Sequence, residues 1–84
     1  MRNPYASAAL PIKQSPVGAH GRVTSTGGIA PGRTGEVMVS IRGGVEAFLA
    51  RDADNGTIAP YTEIVVVDYV PPRLVVVTPL TQES

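Results

Sequence analysis

The residues that could carry out acid–base or nucleophilic chemistry are few and scattered. His20 is the only histidine, and the chain has no cysteine. No serine stands in a Gly-x-Ser-x-Gly elbow or beside a lysine in an activating context, so no nucleophile–base pair can be named. A lone histidine next to a strand is more often a surface residue than a catalyst or a ligand. The residues therefore predict a protein that is not an enzyme.

Three carboxylates partly match the spacing of a calcium-binding loop. Asp52 and Asp54 stand two apart, and Glu63 occupies the twelfth position counted from Asp52, where such loops place ligands. The glycine of the loop comes one position early, at Gly56, and Pro60 interrupts the segment. A turn held by Asp and Asn side chains is the simpler interpretation. We therefore predict no metal and no other cofactor.

Glycines, charges and aromatic residues give little support to phosphate or nucleic-acid binding. The glycine-rich segment 26–34 lacks the Gly-Lys-Ser/Thr ending of a phosphate-binding loop. Seven basic and seven acidic residues balance, whereas binding to a phosphate backbone needs clustered positive charge. The aromatic residues that could stack on bases are Tyr5, Phe48, Tyr61 and Tyr69. We predict no nucleic-acid partner, and a nucleic-acid-binding domain remains the alternative function.

The elements that would position these side chains are all strands. Two short β-branched runs near the end of the chain are separated by Pro71-Pro72, and proline cannot donate to a sheet ladder. Five strands are predicted, at 21–25, 36–41, 45–51, 64–70 and 74–77. Five short antiparallel strands in so small a chain predict an all-β fold, a five-stranded OB-type barrel, with an SH3-like barrel as the alternative.

Prolines and glycines mark the turns and the ends of the domain. Pro31-Gly32 suits a type II turn and Gly43-Gly44 a tight hairpin turn, while Ile58 is expected to plug the loop after the third strand. Residues 1–17 contain three prolines and are predicted to be a linker or disordered tail. The barrel is predicted over 18–80, followed by a C-terminal tail at 81–84.

The alternation of apolar and polar residues predicts which side chains face outward. In the second strand it places Val37 and Val39 in the core and Met38 outside. In the third strand we assign Val45, Ala47 and Leu49 to the core, which turns Phe48 outward.

The last two strands are apolar on both faces, which exceeds what one small barrel can bury. The surplus predicts a contact surface for a partner chain, a second copy of this chain included, on the outer face or at the edge of the fifth strand. Coverage of the same face by the N-terminal tail is the alternative. The predicted surface residues are Met38, Phe48, Val66, Val75 and Val77.

Five segments, taken together in order and spacing, resemble the C-terminal soluble domain of NfeD-like proteins. They are 17–23 (Val-Gly-Ala-His-Gly-Arg-Val), 31–37 (Pro-Gly-Arg-Thr-Gly-Glu-Val), 44–51 (Gly-Val-Glu-Ala-Phe-Leu-Ala-Arg), 58–67 (Ile-Ala-Pro-Tyr-Thr-Glu-Ile-Val-Val-Val) and 74–79 (Leu-Val-Val-Val-Thr-Pro). Two positions depart from the family pattern. Tyr61 stands where the family usually has glycine, which implies a different turn there, and Pro71-Pro72 replaces a glycine-containing hairpin.

This resemblance implies a fold, a function and a location. The fold is a five-stranded OB barrel, and the function is non-enzymatic contact with stomatin- or flotillin-type membrane scaffold proteins. Such domains follow transmembrane helices, so the resemblance implies membrane association through an anchor outside this chain, with the domain itself in the cytoplasm. Longer relatives also carry a Ser–Lys protease domain, and nothing of that activity transfers to these residues.

Overall fold

The computed structural model describes residues 15–80, and these residues form five strands and no helix. The strands are β1 (His20–Val23), β2 (Gly35–Ile41), β3 (Gly44–Asp52), β4 (Glu63–Val70) and β5 (Leu74–Pro79). Every strand bound lies within two residues of its predicted position. Within the described residues no helix is long and apolar enough to cross a membrane.

The strands close into a barrel in the order β1-β2-β3-β5-β4, with β4 pairing back to β1. All neighbouring strands are antiparallel except β3 and β5, which run parallel. This order confirms the predicted all-β, five-stranded OB-type barrel rather than the SH3-like alternative.

Side chains from all five strands fill the barrel, and two loop isoleucines plug one end of it. Ile29 and Ile58 are both buried, and each donates its amide to the other's carbonyl at 2.8 Å. This confirms the predicted plug at Ile58. Gly28 makes the close approach possible, because its φ is +69° and a Cβ there would collide with the Ile58 carbonyl.

The third strand faces the opposite way from the prediction. Phe48 is 2% exposed in the core, while Leu49 is 50% exposed, so the assignment of Leu49 to the core and of Phe48 to the surface is wrong. The cause lies in the hairpin, whose two loop residues are Arg42 and Gly43, since Ile41 pairs with Gly44. Directly paired residues share a face, and a two-residue loop always pairs an odd position with an even one. Val37 in the core therefore brings Phe48 into the core with it.

The predicted outward positions of β4 and β5 are also wrong. Val66, Val75 and Val77 are at most 1% exposed and belong to the core. Val66 pairs directly with Val77, so both must point the same way. The surplus apolar residue of β5 is Val76, which lies outside the core cluster. It pairs with Arg51 on β3 and Asp68 on β4, and it is only 7% exposed.

The turn at Pro31-Gly32 agrees with its sequence signal, whereas the hairpin turn predicted at Gly43-Gly44 lies one residue earlier, at Arg42-Gly43. Arg33 donates to the Ala30 carbonyl at 3.0 Å around Pro31-Gly32, and Gly32 has a φ of +72°, which confirms the type II turn. Both prolines of the β4–β5 connection lie beyond the last pair, Val70 with Leu74, so they stay outside the ladder as predicted.

The predicted tails fall mostly outside the described residues, which exclude 1–14 and 81–84. Coverage of the barrel by the N-terminal tail therefore stays a prediction, as do the domain bounds. Pro16, in the predicted tail, is fully buried and accepts a hydrogen bond from the Ala19 amide at 2.9 Å.

Candidate interaction surface

Apolar side chains form a connected row across the outside of three strands. The register aligns Glu36 on β2, Leu49 on β3, Leu74 on β5 and Val70 on β4. Leu49 is 50% exposed and Val70 is 44% exposed. Further along β3, Ala47 pairs with Met38 and Val45 pairs with Ser40. We call the six apolar members the outer apolar face: Met38, Val45, Ala47, Leu49, Val70 and Leu74.

Phe48 and Ala50 face inward, so alternation along β3 turns Val45, Ala47 and Leu49 outward. The other members of the outer apolar face join them through the pairing register. Val45 is its most exposed member, at 60%. Met38 is half-buried between Arg22 and Ala47, its partners on the neighbouring strands. Of the five residues predicted for the contact surface, Met38 is therefore the one that lies on this face, and the other four lie in the core.

One arginine spans the border between the outer apolar face and the core. The Arg73 guanidinium lies 4.9 Å from the centre of the Phe48 ring. It also binds the Glu46 carboxylate at 3.3 Å and donates to the Ala47 carbonyl. Beneath it, the rings of Phe48 and Tyr69 meet edge to face, with centroids 6.2 Å apart. The β4–β5 turn thus covers Phe48 with a charged side chain held at three points.

A shallow groove runs from the outer apolar face across β1 to the start of β4. We call it the outer groove. Arg22 lies at its centre, because it pairs with Met38 on one side and Glu63 on the other. Arg22 and Glu63 form an ion pair with 3.0 Å between Nη2 and Oε2. The groove has a volume of about 340 Å³, and its other lining residues include His20, Val45 and Leu80.

Tyr61 adjoins the outer groove in a backbone conformation that bulky residues rarely adopt. Its φ is +67°, a value that costs free energy for a residue with a Cβ. Its side chain is 61% exposed. The surrounding structure fixes this conformation. The Tyr61 amide donates to the Val23 carbonyl at 2.8 Å, and the Tyr61 carbonyl accepts from the Arg22 guanidinium at 3.3 Å. Tyr61 thus takes up the left-handed geometry that suits glycine, and the expectation that this turn differs from the family's stays a prediction.

Strand β5 offers no free edge over most of its length. Residues 74–77 pair with β3 on one side, and 74–79 pair with β4 on the other. Because these backbone groups are already bonded, the predicted use of the β5 edge is wrong for that stretch. A partner at this part of the barrel must contact side chains on a face of the sheet rather than extend the ladder.

The carboxylates that suggested a calcium loop are not brought together. Asp52 Oδ2 accepts from the Gly56 amide at 2.9 Å, and its Oδ1 accepts from the Asp54 amide at 3.3 Å. These bonds confirm the interpretation of a turn held by an Asp side chain. Glu63 instead pairs with Arg22 on the outside of the barrel. Within residues 15–80, no group of three His, Asp or Glu side chains is placed to hold a metal ion.

The other residues considered for chemistry lie apart. His20 is exposed at the start of β1, on the wall of the outer groove. Segment 26–34 carries the Ile29 plug, and Tyr5 lies outside the described residues. Sequence reasoning missed Leu49 and Val45, although the parity of the two-residue hairpin would have found both. Tyr61 carried a signal as well, since it replaces an expected glycine.

One family model and one solved structure match this chain. The family model described as NfeD C-terminal domain matches residues 20–78. The chain is also similar to the soluble domain of the NfeD protein YuaF from Bacillus subtilis, known from a solution structure. The two share 26% sequence identity with a TM-score of 0.72, over 95% of this chain and 90% of that chain. No curated protein sequence gives a significant match.

Proposed function

The chain belongs to the NfeD C-terminal domain family, and from that premise we propose that it is a non-enzymatic protein–protein interaction module. Its partner in this proposal is a stomatin- or flotillin-type membrane scaffold protein, the partner that the family resemblance implies. The domain would be carried on the cytoplasmic side by a membrane-anchored parent protein. The similarity to a structure described as the soluble domain of an NfeD protein supports such a parent.

The observation that carries the proposal is the outer apolar face. Val45, Leu49 and Val70 are each between 44% and 60% exposed, and the register joins the latter two through Leu74. A connected apolar patch on a domain of this size is typical of a protein contact site. Arg73 at its border supplies the kind of side chain that is enriched in the most strongly contributing positions of interfaces.

The polar groups of the barrel support a binding role over a chemical one. Ser25 Oγ bridges the Gly28 carbonyl and the Glu36 amide, and Asp52 holds the turn after β3. The exposed charges Arg22 and Arg73 are paired with carboxylates. These side chains are engaged in holding loops and strands together.

The outward positions of β2 and β3 favour a protein partner over a nucleic acid. Within the described chain they carry no aromatic side chain on which a base could stack, because Phe48 points into the core. Glu36 also lies in the apolar row, next to Leu49. A polyanion would be repelled at that position.

The test compares two equally exposed apolar residues. Leu49 and Val17 are both 50% exposed, and Val17 lies outside the strands. With a purified flotillin-type protein as the probe, Leu49→Asp is expected to weaken binding by about tenfold or more, as changes at central interface positions do. Val17→Asp should bind as the wild type does.

The result that would overturn the proposal is equal affinity of the wild type and Leu49→Asp, or no binding by the wild type. A titration with single-stranded oligonucleotide at low salt tests the alternative function, since such binding should be strong there and fall steeply as salt rises.

A further inference from the structure

We propose that the outer groove binds an extended peptide segment of the protein partner, and that the order of charges in that segment is read by Arg22 and Glu63. The segment places an acidic side chain opposite Arg22, a basic one opposite Glu63 and an apolar one over Met38. This inference rests on the proposed function and names the chemistry of its partner.

The position of the groove supplies the apolar subsite. Met38 and Val45 belong to both the outer groove and the outer apolar face, so a bound segment continues directly onto that face. On the far side, Leu80 is anchored next to the ion pair, because its amide donates to the Glu63 carbonyl at 2.8 Å. The volume of about 340 Å³ is at the lower end of the range for small-ligand sites, roughly 300–1,000 Å³. It accommodates a few side chains of a peptide rather than a folded element.

The charges of the groove select a partner of mixed sign. The Arg22 and Glu63 side chains are 53% and 58% exposed, so both can bond to an incoming segment without breaking their own pair. A guanidinium has five N–H donors. Arg22 uses one donor to bind the Tyr61 carbonyl and another to bind Glu63. Its remaining N–H donors are left for a ligand. One positive and one negative charge side by side give no net attraction to a polyanion or to an anionic lipid surface. A peptide with the opposite order of charges fits both groups.

The strained turn supplies an anchor next to this ion pair. Tyr61 keeps a φ of +67° with most of its side chain exposed, where glycine would avoid the steric cost. Strained residues of this kind are concentrated at ligand-binding positions. Its carbonyl holds the Arg22 guanidinium, so the same residue orients the charge, and its exposed side chain stands two positions before Glu63. Tyrosine and arginine are the residue types that most often dominate interfaces.

The closed ladder explains why recognition is by side chains. Gly21 and Arg22, at the centre of the groove, are paired with β2 on one side and with β4 on the other. A peptide that lies over these two residues therefore has no strand edge to extend, and its specificity must come from Arg22, Glu63, Tyr61 and the apolar floor.

The decisive variant is the double exchange Arg22→Glu with Glu63→Arg. It keeps an ion pair between the same two strands, so folding should be preserved, but it reverses the order of charges that a ligand meets. One probe is the purified flotillin-type protein. The other is a set of 12-residue peptides selected from a random phage-displayed library on the wild-type domain. For both we expect the double exchange to weaken binding by about tenfold or more. A selected peptide with its own acidic and basic residues exchanged should regain affinity for the double exchange variant.

Tyr61→Gly is a second and independent variant. It preserves the turn, because glycine adopts positive φ freely, and should melt at or above the wild-type temperature while losing peptide affinity. When a selected peptide binds the wild-type domain, the backbone chemical shifts of the domain are expected to change at residues 20–23, 38–40 and 61–63.

The outcomes separate this inference from the proposed function. Unchanged affinity of the folded double exchange variant for peptides and partner, shift changes elsewhere, or the absence of any selected peptide would overturn the groove assignment. If the partner binds the wild type, and Leu49→Asp weakens this binding while the double exchange does not, the proposed function stands and the groove assignment falls. If the partner does not bind but selected peptides follow the charge exchange, the groove assignment stands and the proposed partner falls.

Discussion

The inner and outer faces of β3 both carry apolar side chains, but those side chains lie in different environments. Phe48 and Leu49 are consecutive residues, yet one is 2% exposed and the other 50%. Phe48 packs among the core residues and against Tyr69, whereas Leu49 lies between Glu36 and Leu74 on the outside. Hydrophobicity alone therefore does not distinguish core from contact surface in this barrel. The pairing register makes the distinction, and substitutions on the two faces should separate stability from binding.

The largest expected effect is at the inner face. Phe48→Asp buries a charge without a partner and removes a large ring, which should cost more than the roughly 3–5 kcal/mol that a domain of this size has available. We expect an unfolded protein by circular dichroism at 25 °C. Phe48→Leu is the control, and it should fold with a loss of about 1 kcal/mol. A folded Phe48→Asp variant would contradict the core position of this side chain.

Two alanines on the same strand give a matched pair. Ala50 is fully buried, while Ala47 is half-buried on the outer face. Ala50→Leu should lower the free energy of unfolding by about 1–3 kcal/mol, because the filled core cannot accept three more carbon atoms without strain. Ala47→Leu should change it by no more than about 0.5 kcal/mol. Urea denaturation of both variants measures the difference, and equal losses would mean that the two faces of β3 are not distinct.

A smaller effect is expected where the two faces meet. Arg73→Ala removes the guanidinium from the Phe48 ring, from Glu46 and from the Ala47 carbonyl. Because the Arg73 side chain is half exposed, the combined loss of these contacts should be about 1 kcal/mol. Arg51→Ala, also on the outside of β3–β5, is the control. A thermal melt in which Arg73→Ala and Arg51→Ala coincide would show that the cover over Phe48 does not stabilise the barrel.

The smallest effect on stability is expected at the centre of the outer apolar face. Leu49→Ser should alter the free energy of unfolding by about 0.5 kcal/mol or less, since the Leu49 side chain remains 50% exposed in the folded barrel. The same variant should bind the flotillin-type protein about tenfold more weakly. Calorimetric unfolding and titration on one protein sample compare the two quantities. A large loss of stability would place Leu49 with the core instead.

The strands and turns could be predicted from local patterns, but the inward face of β3 was assigned wrongly. Prolines and glycines gave the breaks, and β-branched runs gave the strands, because both depend on neighbouring residues. The face of β3 depends on register, which the odd–even pairing across a two-residue loop fixes. In β4 and β5 no such rule helped, because apolar residues occupy both faces and only the closed barrel decides that Val66 and Val77 point inward.

The candidate site was harder to predict, since it is assembled from distant parts of the chain. Arg22 and Glu63 face each other only after β1 pairs with β4. Tyr61 was visible as a departure from a glycine pattern, but its link to Arg22 is a hydrogen bond through the backbone carbonyl that no spacing reveals.

The pairing that closes the barrel also has a consequence for how fast it can form. β1 must find β4 and β3 must find β5, and both pairings join segments that are far apart in the chain, since Gly21 pairs with Ile64 and Leu49 with Leu74. Non-local pairings of this kind cost loop entropy before they return any contact energy. We therefore expect folding in milliseconds to seconds, with the β2–β3 hairpin able to form early and the β1–β4 contacts completed late. The Arg22–Glu63 pair, which spans that last seam, would then exist only in molecules whose barrel is already closed, so partner binding through it would report the native state alone.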